Sequence, residues 1–296
     1  MPVATLLLGL LAAASDTLLV SGSWLLAHHR DPGVVVLHAA MTRTGYDAGH
    51  IPGARFAPLG DFHSHEHSDR LPPVERLTAA VRKLGIRNED RVVIVSDPMG
   101  AGILFVVLDY LGHGHRTSVL DGALDAWREA GGTLTKDVLA FEPGTFVANV
   151  KADLIVDAQW VASRLASTGV ALLDARSEEE FLGTTTAEGL PRYGHIPGAG
   201  HLEWSTTFAP DTDTTLTPHQ PGYQNARLAS RAALRRMFTE AGVGDGDEVV
   251  TYCTVGMRAS QLYFVSRLLG RKTRLYLGSM ADWSARPELP IAAAAP

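Results

Sequence analysis

The stretch Tyr46-Asp-Ala-Gly-His-Ile-Pro-Gly-Ala54 has its last six residues repeated 145 positions later, within Arg192-Tyr-Gly-His-Ile-Pro-Gly-Ala199. A shared run of six residues, GHIPGA, indicates an internal duplication. Each copy follows an apolar run typical of a buried strand, Val34-Val-Val-Leu-His-Ala39 in the first half and Val170-Ala-Leu-Leu-Asp-Ala175 in the second. The two halves are therefore predicted to share one fold.

Two further pairs of segments recur in the same order. Asp90-Arg-Val-Val-Ile-Val-Ser96 corresponds to Asp247-Glu-Val-Val-Thr-Tyr-Cys253, and Leu120-Asp-Gly-Ala-Leu-Asp-Ala-Trp127 to Leu277-Gly-Ser-Met-Ala-Asp-Trp283. Apolar residues at helical spacing lie between these strands. Alternating strands and helices favour parallel sheets with crossover helices. We therefore predict an α/β protein of two tandem units, each a parallel sheet flanked by helices.

The domain boundaries follow from the lapse of periodicity around the turn Glu142-Pro-Gly144. The second half also contains polar insertions at residues 184–186 and 211–217. The predicted parts are an N-terminal domain over 16–140, a linker over 141–152, a C-terminal domain over 153–290 and a tail over 291–296.

Composition excludes several functional classes. Twenty-six basic against thirty-two acidic residues give a net charge of −6, which disfavours binding to nucleic acid. Cys253 is the one cysteine, so no disulfide within the chain and no zinc site with two thiolates can form. His63, His65 and His67 are interpreted as part of a solvated loop, and no metal site is predicted.

The apolar run Thr5–Ala14 is about half the length that a membrane helix requires, so no membrane span is predicted. Its length and the alanines before Ser15 match the apolar core and cleavage region of a signal peptide. No basic residue precedes the run, and a short buried strand or helix is the alternative. We interpret residues 1–15 as a leader, which favours a periplasmic over a cytoplasmic location.

The loop Tyr252-Cys-Thr-Val-Gly-Met-Arg-Ala259 follows a predicted strand and precedes a helix that begins near Met257 or Arg258. Backbone amides at a helix N-terminus bind anions and favour the reactive thiolate of a cysteine. Cys253 is therefore predicted to be a nucleophile. The first half has Ser96-Asp97-Pro98 at this place, with no thiol and with a proline that lacks an amide hydrogen, and is predicted to be inactive.

These features together resemble the tandem-domain rhodaneses, the thiosulfate and 3-mercaptopyruvate sulfurtransferases. The matching elements are the GHIPGA turns, Leu173-Asp-Ala-Arg176, the Cys253 loop, and Tyr276–Trp283 with Arg286–Pro290. The resemblance spans about Leu19 to Pro290. It implies an inactive N-terminal domain and a catalytic C-terminal domain in which Cys253 forms a persulfide.

The resemblance also implies the reaction and its partners. Sulfur passes from thiosulfate, or alternatively from 3-mercaptopyruvate, to cyanide or a thiol acceptor, with no metal or organic cofactor. The partners are thus small molecules, and a monomer or weak dimer is expected. The amides of Thr254, Val255, Gly256, Met257 and Arg258 are expected to surround the persulfide sulfur.

Three arginines are candidates for binding the anionic donor. Arg258 is expected to orient its charged end, while Arg176 matches the Asp-x-Arg strand end of the family and Arg192 precedes the second GHIPGA. Glu180 stands where eukaryotic-type members carry a substrate-contacting arginine, and Arg258 is hypothesised to compensate for that loss.

The pair Thr254-Val255 departs from the family pattern, because thiosulfate-type loops carry basic residues after the cysteine and mercaptopyruvate-type loops carry Gly-Ser. Two other classes stay open. Cysteine phosphatases and arsenate reductases of related fold have a Cys-x5-Arg loop, whereas this chain has Cys-x4-Arg. A non-catalytic sulfur-binding module is the other alternative.

Overall fold

The computed structural model describes residues 18–63, 69–165, 167–185, 187, 189–209 and 223–293. The predicted leader, His65, His67, Thr186 and the insertion 211–217 lie outside the described residues. The chain forms two compact units. Within the described ranges, the first contains residues 18–63, 71–151 and parts of 208–228. The second contains residues 69–70 and the described residues of 152–207 and 229–293.

The first unit contains five strands and five α-helices among the described residues. The strands are β1 (Leu19–Val20), β2 (Val34–Ala40), β3 (Arg55–Pro58), β4 (Arg91–Val95) and β5 (Thr117–Leu120). The helices are α1 (Gly22–His28), α2 (Thr44–Ala48), α3 (Val74–Lys83), α4 (Pro98–Tyr110) and α5 (Ala123–Glu129).

The second unit repeats this set. Its described strands are β6 (Ile155–Val156), β7 (Val170–Asp174), β8 (Gly200–His201), β9 (Glu248–Tyr252) and β10 (Thr273–Tyr276). Its described helices are α6 (Ala158–Ala162), α7 (Glu178–Leu182), α8 (Arg231–Glu240), α9 (Met257–Leu268) and α10 (Ser279–Ser284).

Both sheets are parallel and have the same strand order. The order is β1-β5-β4-β2-β3 in the first unit and β6-β10-β9-β7-β8 in the second. The Val- and Ile-rich inner strands are buried on both faces by the crossover helices, as parallel sheets require. The predicted fold class, two tandem α/β units, is confirmed.

The two GHIPGA turns are braced in the same way. His50 Nδ1 lies 2.9 Å from the Tyr46 carbonyl oxygen, and the His50 ring stacks on Tyr46. His195 Nδ1 lies 2.8 Å from the Phe181 carbonyl oxygen, and its ring stacks on Phe181. The histidine therefore braces the turn in the same way in both halves.

The two matched tryptophans are core residues. Trp127 and Trp283 are almost fully buried, each within the apolar cluster of its own unit. Each indole N–H donates to a backbone carbonyl just beyond its helix, that of Thr133 or Pro290. In each unit the indole thus packs the helix that carries it, α5 or α10, into the core.

Two segments group with the first unit although the predicted boundaries placed them outside the N-terminal domain. The predicted linker runs along the first unit, where the Gly144 amide donates to Arg82 and the Lys151 amide to Tyr110. Residues 208–209 and 223–228, predicted in the C-terminal domain, group with the first unit because polar groups among them bond there. For example, the Leu228 amide donates to the Asp121 carboxylate.

Among the described residues, no helix has the length and apolar character needed to cross a membrane. His63, predicted in a solvated loop, is buried.

Candidate active site

Cys253 lies at the carboxyl end of β9, the middle strand of the second sheet. This end of a parallel sheet is where such folds bind ligands. The cysteine is only 1% exposed. Helix α9 begins at Met257, as predicted, so residues 253–256 form a four-residue loop between strand and helix.

Gly256 gives the loop its shape. Its φ of +85° is a left-handed conformation, and a Cβ at this position would lie 2.4 Å from Leu277 Cδ1. The Gly256 amide donates to Cys253 Sγ at 3.1 Å. The first amides of α9 have no acceptor within the helix and carry its positive dipole end. The loop can therefore stabilise negative charge on sulfur.

Ser279 anchors the backbone of the cysteine. Its hydroxyl accepts the Cys253 amide at 3.1 Å and donates to the Tyr276 carbonyl at 2.9 Å. Ser279 has a φ of +51°, which is uncommon for a residue with a side chain. The sequence reasoning missed Ser279, although the first-half repeat has Ala123 at this place. That difference was the available signal.

Arg258 forms a bidentate ion pair with Glu180. Arg258 Nη1 donates to Glu180 Oε2 at 2.6 Å, and Nη2 donates to Oε1 at 3.0 Å. The Thr254 hydroxyl accepts from Arg258 Nη2 and donates to Glu180 Oε1 at 3.2 Å. The pair therefore joins α7 to the loop that follows Cys253.

The charges in this cluster reinforce one another. Burial favours the neutral form of Glu180, but the hydrogen bonds and charge of Arg258 outweigh it and lower the pKa of the carboxyl. Burial likewise disfavours the charged guanidinium, yet the hydrogen bond to Glu180 and the nearby Cys253 raise the pKa of Arg258. Arg258, which was hypothesised to compensate for Glu180, is thus paired directly with it.

Arg176 is bonded within the frame of the sheet. Its Nε and Nη2 donate to the Asp174 carboxylate, with Nη2 at 2.6 Å from Oδ2, and Nη2 also donates to the Gly194 carbonyl. The guanidinium side chain is 1% exposed. Arg176, a candidate for donor binding, is thus paired with Asp174 inside the second unit.

Arg192 fastens the segment after α10. Its Nε donates to the Ser284 carbonyl, Nη1 to Leu289, and Nη2 to Trp283 and Arg286. All three guanidinium nitrogens therefore bond to backbone carbonyls outside the Cys253 loop.

The remaining predicted residues lie in the loop and the first turn of α9. Val255 and Met257 are half-buried, and their amides belong to the loop and to the first turn of α9. Tyr252 is fully buried, and its hydroxyl accepts the Ile196 amide, which ties β9 to the second GHIPGA. No group of three or more His, Cys, Asp or Glu side chains in the described ranges could hold a metal ion.

The corresponding loop of the first unit is closed by its own groups. Ser96 donates to the Ala39 carbonyl at 2.8 Å, and Asp97 accepts the Gly100 amide at 2.8 Å. The Tyr223 hydroxyl accepts the Met99 amide and donates to Asp97, both at 3.2 Å. The amides at this helix N-terminus thus already have acceptors.

Comparison with known proteins identifies the family of both units. The Rhodanese-like domain matches residues 21–130 and again 157–286. A probable 3-mercaptopyruvate sulfurtransferase of Pseudomonas aeruginosa is 31% identical, over 94% of this chain and 99% of its own length. A thiosulfate sulfurtransferase of Corynebacterium glutamicum is also 31% identical, over 92% of this chain and 89% of its own.

Two further comparisons extend this range. The sulfur carrier protein TtuD of Thermus thermophilus is 30% identical over 94% of this chain and 98% of its own. Among solved structures, the anaerobic ergothioneine biosynthesis enzyme of Chlorobium limicola, in complex with trimethyl histidine, matches with a TM-score of 0.75 and 24% identity. The match covers 94% of this chain and 70% of that enzyme, and it demonstrates a shared fold.

Proposed function

Since the chain belongs to the rhodanese family and is a sulfurtransferase, we propose that it moves a sulfane sulfur from thiosulfate to cyanide or a thiol through a persulfide on Cys253. The observation that carries the proposal is the buried thiol at the end of β9, with the Gly256 amide 3.1 Å from Sγ at the start of a helix. The alternative donor is 3-mercaptopyruvate.

The reaction consists of two displacements at sulfur. The Cys253 thiolate attacks the outer sulfur of thiosulfate, the sulfur–sulfur bond breaks, and sulfite leaves with the bonding electron pair. The acceptor then attacks the outer sulfur of the persulfide, and Cys253 leaves as thiolate with its electron pair. Cyanide is released as thiocyanate. This is ping-pong covalent catalysis that needs no external oxidant.

The loop supplies the electrostatics of the first displacement. A persulfide carries negative charge on its outer sulfur, and fixed amide donors stabilise such charge without having to reorganise. We assign this role to the amides of residues 254–258. The half-buried side chains of Val255 and Met257 limit access of water to the sulfur.

The three candidate arginines have different proposed roles. Arg258 is the basic side chain nearest in sequence to the nucleophile, and its electrostatic interaction with Cys253 supports a position beside the reacting sulfur. We propose that Arg176 and Arg192 hold the frame of the site, because their guanidinium nitrogens are occupied by Asp174 and by backbone carbonyls.

Thiosulfate is proposed as the preferred donor because its sulfonate is bonded directly to the sulfane sulfur. Amides that surround that sulfur can then also stabilise the charge of the leaving sulfite. The carboxylate of 3-mercaptopyruvate lies two carbons further from its sulfur and needs a cation outside the loop. The relatives include enzymes named for both donors.

We propose that the first unit is catalytically inactive. Ser96 stands where the second unit has Cys253, and the acceptors Tyr223 and Asp97 already occupy the amides of its loop. An alcohol is a far weaker nucleophile toward sulfane sulfur than a thiolate.

Intact-mass spectrometry tests the proposal. The purified protein is incubated with thiosulfate or with 3-mercaptopyruvate, and Cys253→Ser is treated in parallel. We expect a gain of one sulfur atom that cyanide discharges and that the variant lacks. No gain with either donor would overturn the proposal and reopen the phosphatase and sulfur-binding alternatives.

A further inference from the structure

Glu180 occupies the guanidinium of Arg258, which is the one basic side chain in the segment 252–259 that carries Cys253. Both carboxylate oxygens and both terminal guanidinium nitrogens are used, at 2.6 and 3.0 Å. Such fork-to-fork pairs are the strongest and most directional ion pairs in proteins. With side-chain exposures of 11% for Glu180 and 25% for Arg258, solvent screens this pair only weakly.

An anionic donor therefore approaches a pair of zero net charge. Thiosulfate is a dianion, so it would gain most from a free guanidinium. To offer that group, Arg258 must first leave the carboxylate, and separating a partly buried ion pair is unfavourable because one charge is left unpaired. The presence of Glu180 should thus weaken donor binding.

Glu180 itself is held in place from its own helix. Its side chain accepts the Ser177 amide at 3.2 Å, and the Ser177 hydroxyl accepts the Glu180 amide at 3.3 Å, which completes a capping box. The carboxylate is therefore fixed on α7. Arg258, on a longer and more flexible side chain, is the partner that moves.

We propose that Glu180 is a specificity-determining residue of the donor half-reaction: it masks Arg258 and so lowers the affinity of the site for anionic sulfur donors. This inference rests on the proposed function, since it concerns the donor of that reaction. Through its hydroxyl, Thr254 ties the masked pair to the loop beside Cys253.

The variant that tests the inference is Glu180→Gln. Glutamine removes the charge but retains the reach and can complete a capping box, so α7 keeps its N-terminus. We expect kcat/KM for thiosulfate to rise about tenfold, mainly through KM, because the freed guanidinium attracts the dianion. In a ping-pong reaction kcat/KM for cyanide reports the second displacement alone, and it should rise less, because cyanide carries one negative charge and thiosulfate two.

Two controls separate masking from a general charge effect. Glu178→Gln removes the same charge from an exposed position on the same helix and should leave the KM for thiosulfate unchanged. In an Arg258→Gln background, Glu180→Gln should also have no effect on KM. An equal gain in that background would mean that Glu180 repels the donor directly, which would overturn the masking proposal.

A binding measurement distinguishes failure of this inference from failure of the proposed function. Thiosulfate is titrated calorimetrically into Cys253→Ser, with and without Glu180→Gln. We expect about tenfold tighter binding in the double variant. Unchanged affinity overturns the inference, whatever the turnover. Tighter binding together with no sulfur uptake by the wild type sustains the masking of Arg258 and refutes the sulfurtransferase proposal for this site.

Discussion

The two units have the same sheet but different turns after their central strands. In the first, two residues separate β4 from α4, which begins at Pro98. In the second, four residues separate β9 from α9. The longer turn ends in a glycine of positive φ and leaves amides near a thiol, whereas Asp97 and Tyr223 satisfy the amides of the shorter turn. A helix that begins two residues later after the strand thus distinguishes the candidate catalytic loop from the capped helix of the first unit.

The strand beside the central strand, β2 in the first unit and β7 in the second, also differs between the units. In equivalent registers, β2 carries His38 opposite Val95, and β7 carries Asp174 opposite Tyr252. Asp174 is bound by Arg176, but His38 Nδ1 is buried without a partner among the described residues. The first unit has therefore kept the hydrophobic fold while lacking the ion pair that braces the second site.

The strongest test of this contrast moves the thiol. We expect Ser96→Cys in the Cys253→Ser protein to take up no sulfur from thiosulfate, a complete loss relative to the wild type. The new thiol would face the Met99 and Gly100 amides, which Tyr223 and Asp97 already accept. Intact mass before and after incubation measures the uptake. A gain of one sulfur atom that cyanide removes would show that position 96 needs only a thiol, and the contrast between the turns would fail.

The next test removes the shape of the longer turn. Gly256→Ala should lower kcat/KM about 100-fold, since a Cβ would force the loop away from Leu277 by a distance on the scale that disrupts catalysis. Steady-state assays with thiosulfate measure the effect. Gly270→Ala is the control, because Gly270 has a similar φ of +80° at the other end of α9 and an added Cβ there would have open space around it. If kcat/KM fell equally in both variants, the effect would come from general backbone strain and not from the shape of the loop.

The sequence was sufficient to predict the fold and the start of the helix that follows Cys253. GHIPGA and the paired Val-rich strands predicted two equal parallel sheets, because burial of both sheet faces produces a continuous apolar run that is easily detected. The strand-cysteine-glycine-helix order likewise predicted the start of α9 at Met257. These features depend on residues that are close together in the chain.

The polar contacts of the site depend on distant residues and were not predicted. Glu180 and Arg258 are 78 positions apart, and Ser279 lies 26 positions from the cysteine whose amide it accepts. Their charges and hydroxyls are visible in the sequence, but pairing follows from strand order and helix placement. Tyr223 closes the first turn from 124 positions away for the same reason.

A third test measures how stability depends on pH at His38, the position in the first unit that is equivalent to Asp174. Burial, together with His50, lowers the pKa of His38 from 6.5 to about 4. Between these values the unfolded chain binds a proton that the folded unit excludes, so stability is lost as pH falls from 6.5 toward 4. The loss is about 3 kcal/mol for this histidine.

We expect His38→Gln to flatten this pH dependence, measured as the free energy of unfolding in urea at pH 7 and at pH 4.5. The buried His113, with a pKa also lowered to about 4 by burial, leaves a residual slope. In the matched variant His113→Gln, the contribution of His38 to the slope should remain. An unchanged slope in His38→Gln would mean that His38 has the same pKa in the folded and the unfolded chain.

The smallest expected effect concerns the turns after β5 and β10. Ala123 and Ser279 have similar positive φ values, 42° and 51°, but only Ser279 has a hydroxyl, which accepts the Cys253 amide. Ser279→Ala leaves that buried amide without its acceptor and should lower the free energy of unfolding by about 1–2 kcal/mol. The rate of sulfur uptake should fall with it, because the backbone of the nucleophile loses its anchor.

Ala123→Ser provides the matched control, since it adds the same hydroxyl on the same backbone conformation in the first unit, where no cysteine follows the central strand. We expect it to leave sulfur uptake unchanged. If Ser279→Ala retained both its stability and its rate of uptake, the Cys253 amide would have another acceptor. The difference between the two units would then lie wholly in the turns after β4 and β9, and not in the turns that pack beside them.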